Sequence, residues 1–175
     1  MSIPPWREEA IRKTHDRASF DCGDAPMNEF LQRFARQGHE QNAAKTFCAV
    51  DETPPNRILG FYTIAPASVV HEAAPAAMTK GLARHDVPGF RLARLATDLS
   101  VAGRGLGGQL LVAAALRCLR IANESGGVLL IIDAKGARAA DWYASFGAEP
   151  LKDKPHTLVM PLTIFAPDLR ARGLL

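Results

Sequence analysis

Cysteine is scarce in this sequence, and long hydrophobic runs are absent. The chain of 175 residues has three cysteines, Cys22, Cys48 and Cys118, which are widely separated and have no histidine cluster beside them. An odd number at this spacing supports neither a disulfide framework nor a zinc site, so each is expected to be a small buried hydrophobe. No apolar stretch reaches the roughly 18 residues that cross a bilayer, and the first residues lack the apolar segment of a signal peptide. We therefore expect a cytoplasmic protein with no membrane partner and no metal.

Aromatic residues are also few, at 7% of the chain, and they form no stacking platform for single-stranded RNA. The formal net charge is only +3. Basic residues nevertheless gather in two stretches, with Arg33, Arg36 and Lys45 in the first and Lys80, Arg84, Arg91 and Arg94 in the second. These groups either meet phosphate or form ordinary solvated faces. Charge thus permits an RNA partner without identifying one, and the candidate contacts are Arg33, Arg36, Lys45 and Arg91.

The hydrophobic pattern predicts one domain over residues 1–175, in which strands and helices alternate. Strands are predicted at 46–50, 58–65, 90–99, 128–133 and 156–162, with a Pro-Pro-Asn turn at 54–56 joining the first two as a hairpin. Helices are predicted from Asp24 onward, at 106–122 and at 138–146, and a loose region rich in Ala and Pro spans 66–88. This order favours an α/β (α+β) fold with a mixed central β-sheet flanked by helices.

Two of these helices have defined inward faces. In the first helix the buried stripe is predicted to contain Met27, Phe30, Leu31 and Phe34, with Asp24 as its N-terminal cap. In the helix at 106–122 the inward positions include Leu106, Leu110, Ala114 and Cys118.

The segment VAGRGLGGQLL at 101–111 is the most informative part of the chain. It places Gly103, Gly105, Gly107, Gly108 and Arg104 where a strand pattern gives way to a helix pattern. Glycines let backbone amides approach an anion, and a helix N-terminus adds partial positive charge. The segment lacks the Lys-Ser or Lys-Thr of a nucleoside triphosphate loop, and no dinucleotide fingerprint opens the chain. It is either a different pyrophosphate-binding loop or an ordinary strand-to-helix turn.

The segment resembles the acyl-CoA loop of the GNAT acetyltransferases, whose pattern is Gln or Arg, two variable residues, Gly, a variable residue, then Gly or Ala. Gly105 and Gly107 match the last two fixed positions, whereas Ala102 occupies the first. This departure removes one side-chain contact and leaves the backbone amides intact. By the same resemblance, the backbone groups of Leu95, Ala96 and Thr97 hold the pantetheine and the acetyl carbonyl.

Three motifs extend the likeness over about residues 11–169: FDCGDAPMNEFL at 20–31, FRLARLATDLSVAGRGLG at 90–107 and DWYASFGAEPL at 141–151. In this order and spacing they resemble the GNAT toxins of bacterial type II toxin-antitoxin modules. The resemblance implies transfer of acetyl from acetyl-CoA to the α-amino group of aminoacyl-tRNA, which inhibits translation. It also implies a ribbon-helix-helix antitoxin as partner and a homodimer.

Tyr143 is the candidate catalytic residue. From its spacing with Ala139, Trp142 and Phe146 alone, Tyr143 is a core residue. In the toxin family the tyrosine before the Phe-Gly pair is the general acid, and a phenol of pKa about 10 can protonate a departing thiolate whose conjugate acid has a pKa near 8.5. No general base is evident, since Asp98 and Asp133 at strand ends are better interpreted as capping or turn residues, and no histidine is assigned a role.

Two alternatives remain open from the sequence. One is a GNAT enzyme that acetylates a small-molecule amine or a protein N-terminus. The other is a GNAT-like binding module that keeps the fold without catalysis. Acetyl-CoA turnover separates the second from the first.

Overall fold

The strands of the computed structural model follow the order that the sequence predicts, with additions near both ends. The structure describes residues 2–53 and 56–175. The strands are β1 Trp6–Ala10, β2 Lys45–Asp51, β3 Ile58–Val69, β4 Val87–Thr97, β5 Leu129–Asp133, β6 Glu149–Leu151 and β7 Lys154–Pro161. The helices are α1 Ala25–Glu29, α2 Ala35–Glu40, α3 Ala76–Thr79, α4 Leu106–Ser125, α5 Ala137–Ala144 and α6 Ala166–Ala171. A π-helical turn at Phe30–Phe34 joins α1 to α2, and 3₁₀ turns lie at His71–Ala73, Leu99–Val101 and Leu162–Phe165.

The seven strands form one mixed sheet in the order β1-β2-β3-β4-β5-β7-β6. Strand β4 pairs with β5 in parallel, while β1 with β2, β2 with β3, β5 with β7 and β6 with β7 are antiparallel. The α/β (α+β) prediction is confirmed. The β2–β3 hairpin is also confirmed, although Pro54 and Pro55 of its predicted turn lie outside the described residues. No helix in the described part of the chain is both long and apolar enough to cross a bilayer.

The buried faces of α4 and β5 agree with the sequence. Leu106, Leu110, Ala114 and Cys118 of α4 are all buried. The central residues of β5, Leu129 to Ile132, are buried as well, which explains the uninterrupted apolar run. Burial also raises the pKa of the Cys48 and Cys118 thiols to about 12, with desolvation the largest cause.

The predicted stripe of the first helix is wrong at Phe34, whose surface is 55% exposed. The reason is the π-helical turn, in which the Ala35 amide donates to the carbonyl oxygen of Phe30, five residues back. The wider turn breaks the 3.6-residue spacing on which the prediction depends, so Ala35 is buried in place of Phe34. The predicted burial of Leu31 is confirmed. The Asp24 prediction is wrong in part, because Asp24 occupies the N-cap position but makes no side-chain cap hydrogen bond.

The region 66–88 is more regular than predicted. Strand β3 continues to Val69, α3 follows the 3₁₀ turn, and β4 already begins at Val87. Strands β1 and β6 and helix α6 were not predicted. Each has six residues or fewer, and none contains the uninterrupted apolar run that marks the equally short β5.

The chain divides into two compact units. Unit 1 runs to Ala65 and includes Ala93–Ala113, and unit 2 consists of Pro66–Leu92 and Ala114–Leu175. The core of unit 1 contains Ile11, Phe20, Leu31, Ala35, Cys48, Val50, Ile58 and Phe61. The core of unit 2 contains Val69, Ala74, Val87, Leu129, Ile131, Leu151 and Val159. That residues 1–175 form a single domain stays a prediction.

Candidate active site

The glycine loop of unit 1 has the geometry of an anion-binding turn. Gly103 and Gly105 have positive φ angles of 73° and 89°, and a Cβ on either would meet nothing within 4 Å. The Gln109 amide donates to the carbonyl oxygen of Gly105 at 3.3 Å, so Gly105 lies at the N-terminus of α4. The amides of the first turn, at Leu106, Gly107 and Gly108, have no partner within the helix. The loop therefore leaves an open space bordered by backbone donors, which suits a pyrophosphate.

Asp98 fixes the beginning of this loop. Its carboxylate accepts hydrogen bonds from the Ser100 amide at 3.0 Å, the Ser100 hydroxyl at 2.6 Å and the Asp21 amide at 2.9 Å. Burial acts to raise the pKa of Asp98, but these hydrogen bonds and the charge of Arg57 outweigh it and lower the pKa. The capping interpretation of Asp98 is confirmed, and a carboxylate with three donors is a poor general base.

The FDCGD block of the first motif helps to hold Asp98 in place at the start of the loop. The Asp21 carboxylate accepts from the Gly23 amide at 2.8 Å and from Asn28 Nδ2 at 2.9 Å. Gly23 has a φ of 81°, as the sequence predicts. Because the Asp21 amide donates to Asp98, the block helps to order the start of the loop in unit 1.

Leu95, Ala96 and Thr97 form the last part of β4 and are half-buried. The described register between β4 and β5 runs from Gly89 with Leu129 to Leu92 with Ile132. The three residues lie beyond the end of that register.

Tyr143 lies on α5 in unit 2 and is only 7% exposed. The Trp142 ring packs edge-on against it with centroids 4.8 Å apart, and also against Phe146 at 4.9 Å. Burial raises the pKa of the phenol above its ordinary value. Tyr143 is thus a core residue, as its spacing predicts, and its hydroxyl stays protonated over the whole physiological pH range.

The second aspartate considered as a base, Asp133, is also engaged. Both of its carboxylate oxygens accept from Arg91 Nη1 at 2.7 Å within unit 2. This ion pair also occupies Arg91, which is a candidate RNA contact. The other three candidates have partners in unit 1: Arg33 pairs with Glu29 at 3.4 Å, Arg36 pairs with Glu40 at 2.7 Å, and Lys45 donates to the His39 carbonyl oxygen at 2.9 Å.

One contact beside the loop was missed from the sequence. The indole Nε1 of Trp6 donates to Gln109 Oε1 at 3.1 Å, joining β1 to the first turn of α4. The sequence shows that Gln109 directly follows the glycines and is therefore near the loop, but nothing in the sequence links Gln109 to Trp6. No group of three or more His, Cys, Asp or Glu side chains in residues 2–53 and 56–175 is placed to hold a metal ion.

Comparison with known proteins identifies relatives of nearly the whole chain. No protein-family model matches it. The tRNA-acetylating toxin of Mycobacterium tuberculosis is 31% identical over 150 residues, which cover 86% of this chain and 88% of the relative. A structure of AtaTR bound with acetyl-CoA is 25% identical, with a TM-score of 0.81 and coverage of 94% of this chain and 98% of that one. A structure of AtaT complexed with acetyl-methionyl-tRNAfMet is 24% identical, with a TM-score of 0.84 and coverage of 97% and 98%.

These structures share the fold of a GNAT acetyltransferase with this chain. The family is established by the sequence identity of 31% to the mycobacterial toxin, which extends over most of both chains. The chain belongs to the family of GNAT tRNA-acetylating toxins.

Proposed function

We propose that this chain is the toxin of a type II toxin-antitoxin module and transfers the acetyl group of acetyl-CoA to the α-amino group of aminoacyl-tRNA, thereby inhibiting translation. The observation that carries this proposal is the identity to a tRNA-acetylating toxin over 86% of the chain. The structures with acetyl-CoA and with acetyl-methionyl-tRNA, solved for proteins of the same fold, support it. The cytoplasm, where charged tRNA is used, is the proposed location.

The glycine loop is the proposed binding site for the pyrophosphate of acetyl-CoA. The open space at Gly103 and Gly105 supports this assignment, and the first-turn amides at Gly107 and Gly108 are the proposed donors to the anion. Arg104 is exposed beside them and adds a charge-assisted donor. The backbone groups of Leu95, Ala96 and Thr97 are the proposed partners of the pantetheine and the acetyl carbonyl, as a further strand would be.

Tyr143 is the proposed general acid. Acetyl-CoA supplies an acetyl thioester. As the amine nitrogen bonds to the acetyl carbon and the carbon–sulfur bond breaks, the phenol gives its proton to the departing sulfur, and the proton that the amine loses restores the phenol through water. An α-amino group with a pKa near 8 is partly neutral at pH 7, so a dedicated base is unnecessary. The carboxylates of Asp98 and Asp133 already accept hydrogen bonds within the protein, which is consistent with a reaction that uses no dedicated base.

Arg33, Arg36, Lys45 and Arg91 remain the proposed RNA contacts. All four have hydrogen-bond or ion-pair partners within the protein. The side chain of Arg33 is nevertheless 72% exposed. A ribbon-helix-helix antitoxin is the proposed regulator. A homodimer is the proposed assembly, since two copies would present their basic residues to one tRNA.

The function is tested by incubating the purified protein with labelled acetyl-CoA and a pool of charged tRNAs, then digesting the RNA and identifying labelled aminoacyl-adenosine. Label on the α-amine that is lost with Tyr143→Phe supports both the reaction and the general acid. If small amines or peptide N-termini are acetylated while every charged tRNA stays unlabelled, the chain is a GNAT enzyme with another acceptor. No turnover of acetyl-CoA with any acceptor would indicate a binding module.

A further inference from the structure

The side chain of Gln109 lies where α4 begins, and a residue distant in sequence holds it there. Trp6 belongs to the edge strand β1 and is fixed by pairing with Asp51 of β2. Its indole nitrogen is 3.1 Å from the side-chain oxygen of Gln109. Both residues belong to unit 1, as does the glycine loop.

This hydrogen bond determines which end of the Gln109 amide faces outward. An indole N–H only donates, so the Gln109 atom that meets it must be the acceptor Oε1. The amide cannot be flipped without placing two donors against each other. The Nε2 group, with its two N–H donors, is therefore directed away from Trp6.

Gln109 lies in the first turn of α4, directly after the loop. In a helix a side chain points toward the N-terminus and covers the preceding turn. Gln109 is the fourth residue of α4, so this general geometry directs its side chain toward the turn that begins at Gly105. Gly105 and Gly108 have no side chains to obstruct it.

The loop is also short of one donor. Ala102 occupies the position at which the acyl-CoA pattern has Gln or Arg, and its methyl group cannot donate a hydrogen bond. The residue is exposed at the entrance to the loop. A pyrophosphate bound there would lack a side-chain contact on this side.

We propose that Gln109, held by Trp6, donates through Nε2 to the pyrophosphate of acetyl-CoA and takes the place of the missing side chain at Ala102. Gln109 is a binding residue and Trp6 is its positioning residue. The inference rests on the proposed function, because it requires acetyl-CoA at the glycine loop.

The test is Gln109→Glu, with the dissociation constant of coenzyme A measured by calorimetry and the steady-state kinetics measured with acetyl-CoA. The glutamate keeps an acceptor for Trp6 and exchanges the outward donors for a negative charge. An acidic residue in the first turn of a helix is also tolerated, so the fold is retained. We expect both the dissociation constant and KM to rise about tenfold or more while kcat changes little, because the contact is remote from the reacting atoms.

The matched control is Gln37→Glu on α2, which makes the same change at an exposed glutamine of unit 1. It should bind coenzyme A as the native chain does. Dephospho-coenzyme A, which keeps the pyrophosphate and lacks the 3′-phosphate, should show the same penalty with Gln109→Glu. A penalty that disappears with this probe would place Gln109 at the 3′-phosphate and overturn the proposal.

Trp6→Phe tests the positioning step. It should weaken coenzyme A binding about two- to fourfold in the native chain and have no effect in a Gln109→Ala background, since the two residues act as a unit. An equal effect in both backgrounds would overturn the pairing. If the native chain binds coenzyme A and Gln109→Glu binds it equally well, the inference fails and the proposed function stands, whereas a native chain that does not bind coenzyme A contradicts the proposed function itself.

Discussion

The two units of the chain carry candidate sites of opposite kinds. In unit 1 the donors are backbone amides, shaped by the positive φ angles of Gly103 and Gly105 and anchored by Asp98. In unit 2 the candidate is one side chain, the Tyr143 phenol, on a helix packed with aromatic rings. A site made of backbone is damaged by adding an atom, whereas a site made of a side chain is damaged by removing one. Each kind therefore calls for its own substitution and its own readout.

Removing the hydroxyl of Tyr143 should have the largest effect. Tyr143→Phe keeps the packing against Trp142 and deletes only the proton donor, so kcat should fall by about 10²- to 10⁴-fold with the affinity for acetyl-CoA unchanged. Single-turnover kinetics and a binding titration measure the two quantities. Tyr62→Phe is the control, since it deletes the same atom from the other tyrosine, whose hydroxyl donates to Glu8 at 2.8 Å in unit 1. Equal losses of kcat in both variants would contradict a catalytic role.

Adding one carbon to the loop should come next. Gly105→Ala forces a residue with a Cβ into a φ of 89°, so the loop either stores about 1–2 kcal/mol of strain or moves its amides. We expect KM for acetyl-CoA to rise about tenfold while kcat is nearly retained. Gly126→Ala, after the end of α4, has a φ of 79° and equally open surroundings. Gly126→Ala should lower the thermal stability about as much as Gly105→Ala does, without a change in KM. A rise in KM for Gly126→Ala equal to that for Gly105→Ala would contradict the assignment of the loop as the acetyl-CoA site.

The anchor of the loop should respond to pH. Because the folded pKa of Asp98 is lowered, its carboxylate stabilises the fold fully above the ordinary value of 3.8, and this contribution is lost as the pH falls through the folded pKa. Asp98→Asn should reduce the free energy of unfolding at pH 7 by about 1.5–3 kcal/mol. The difference from the native chain should narrow below pH 3.8 in denaturant titrations. Asp168→Asn, which breaks an exposed pair with Arg172, is the control. A difference for Asp98→Asn that is constant down to pH 2 would exclude the carboxylate as its source.

The loop was predictable because its determinants are local. Two glycines before a helix pattern and two more in its first turn mark where the backbone turns, and the structure has Gly103 and Gly105 at positive φ. The π-helical turn that exposes Phe34 was not predictable, since its sequence is compatible with ordinary helical spacing. Trp6 and Gln109 are 103 residues apart, so their contact depends on the tertiary fold and has no local signal in the sequence.

Tyr143 illustrates a different limit. Its periodicity predicts a core residue, and the structure has it buried, so the physical interpretation was correct and still says nothing about chemistry. Only the likeness of the surrounding motif to a family supplied a role. The basic residues show the same limit, because the sequence does not reveal that Arg33 pairs with Glu29 and Arg91 with Asp133.

The smallest expected effect concerns Arg33 of unit 1, one of the proposed RNA contacts. Arg33 and Arg172 are matched, because each is exposed and paired with a carboxylate four residues earlier. If Arg33 contacts a phosphate, Arg33→Ala should weaken tRNA binding at low salt and reduce the slope of log affinity against log salt by about one, with KM for acetyl-CoA unchanged. Arg172→Ala in unit 2 should leave the slope unchanged. Equal slopes for both variants and the native chain would show that Arg33 does not contact the RNA. Every phosphate contact releases a counterion and so contributes to the slope, whatever the sequence of the RNA.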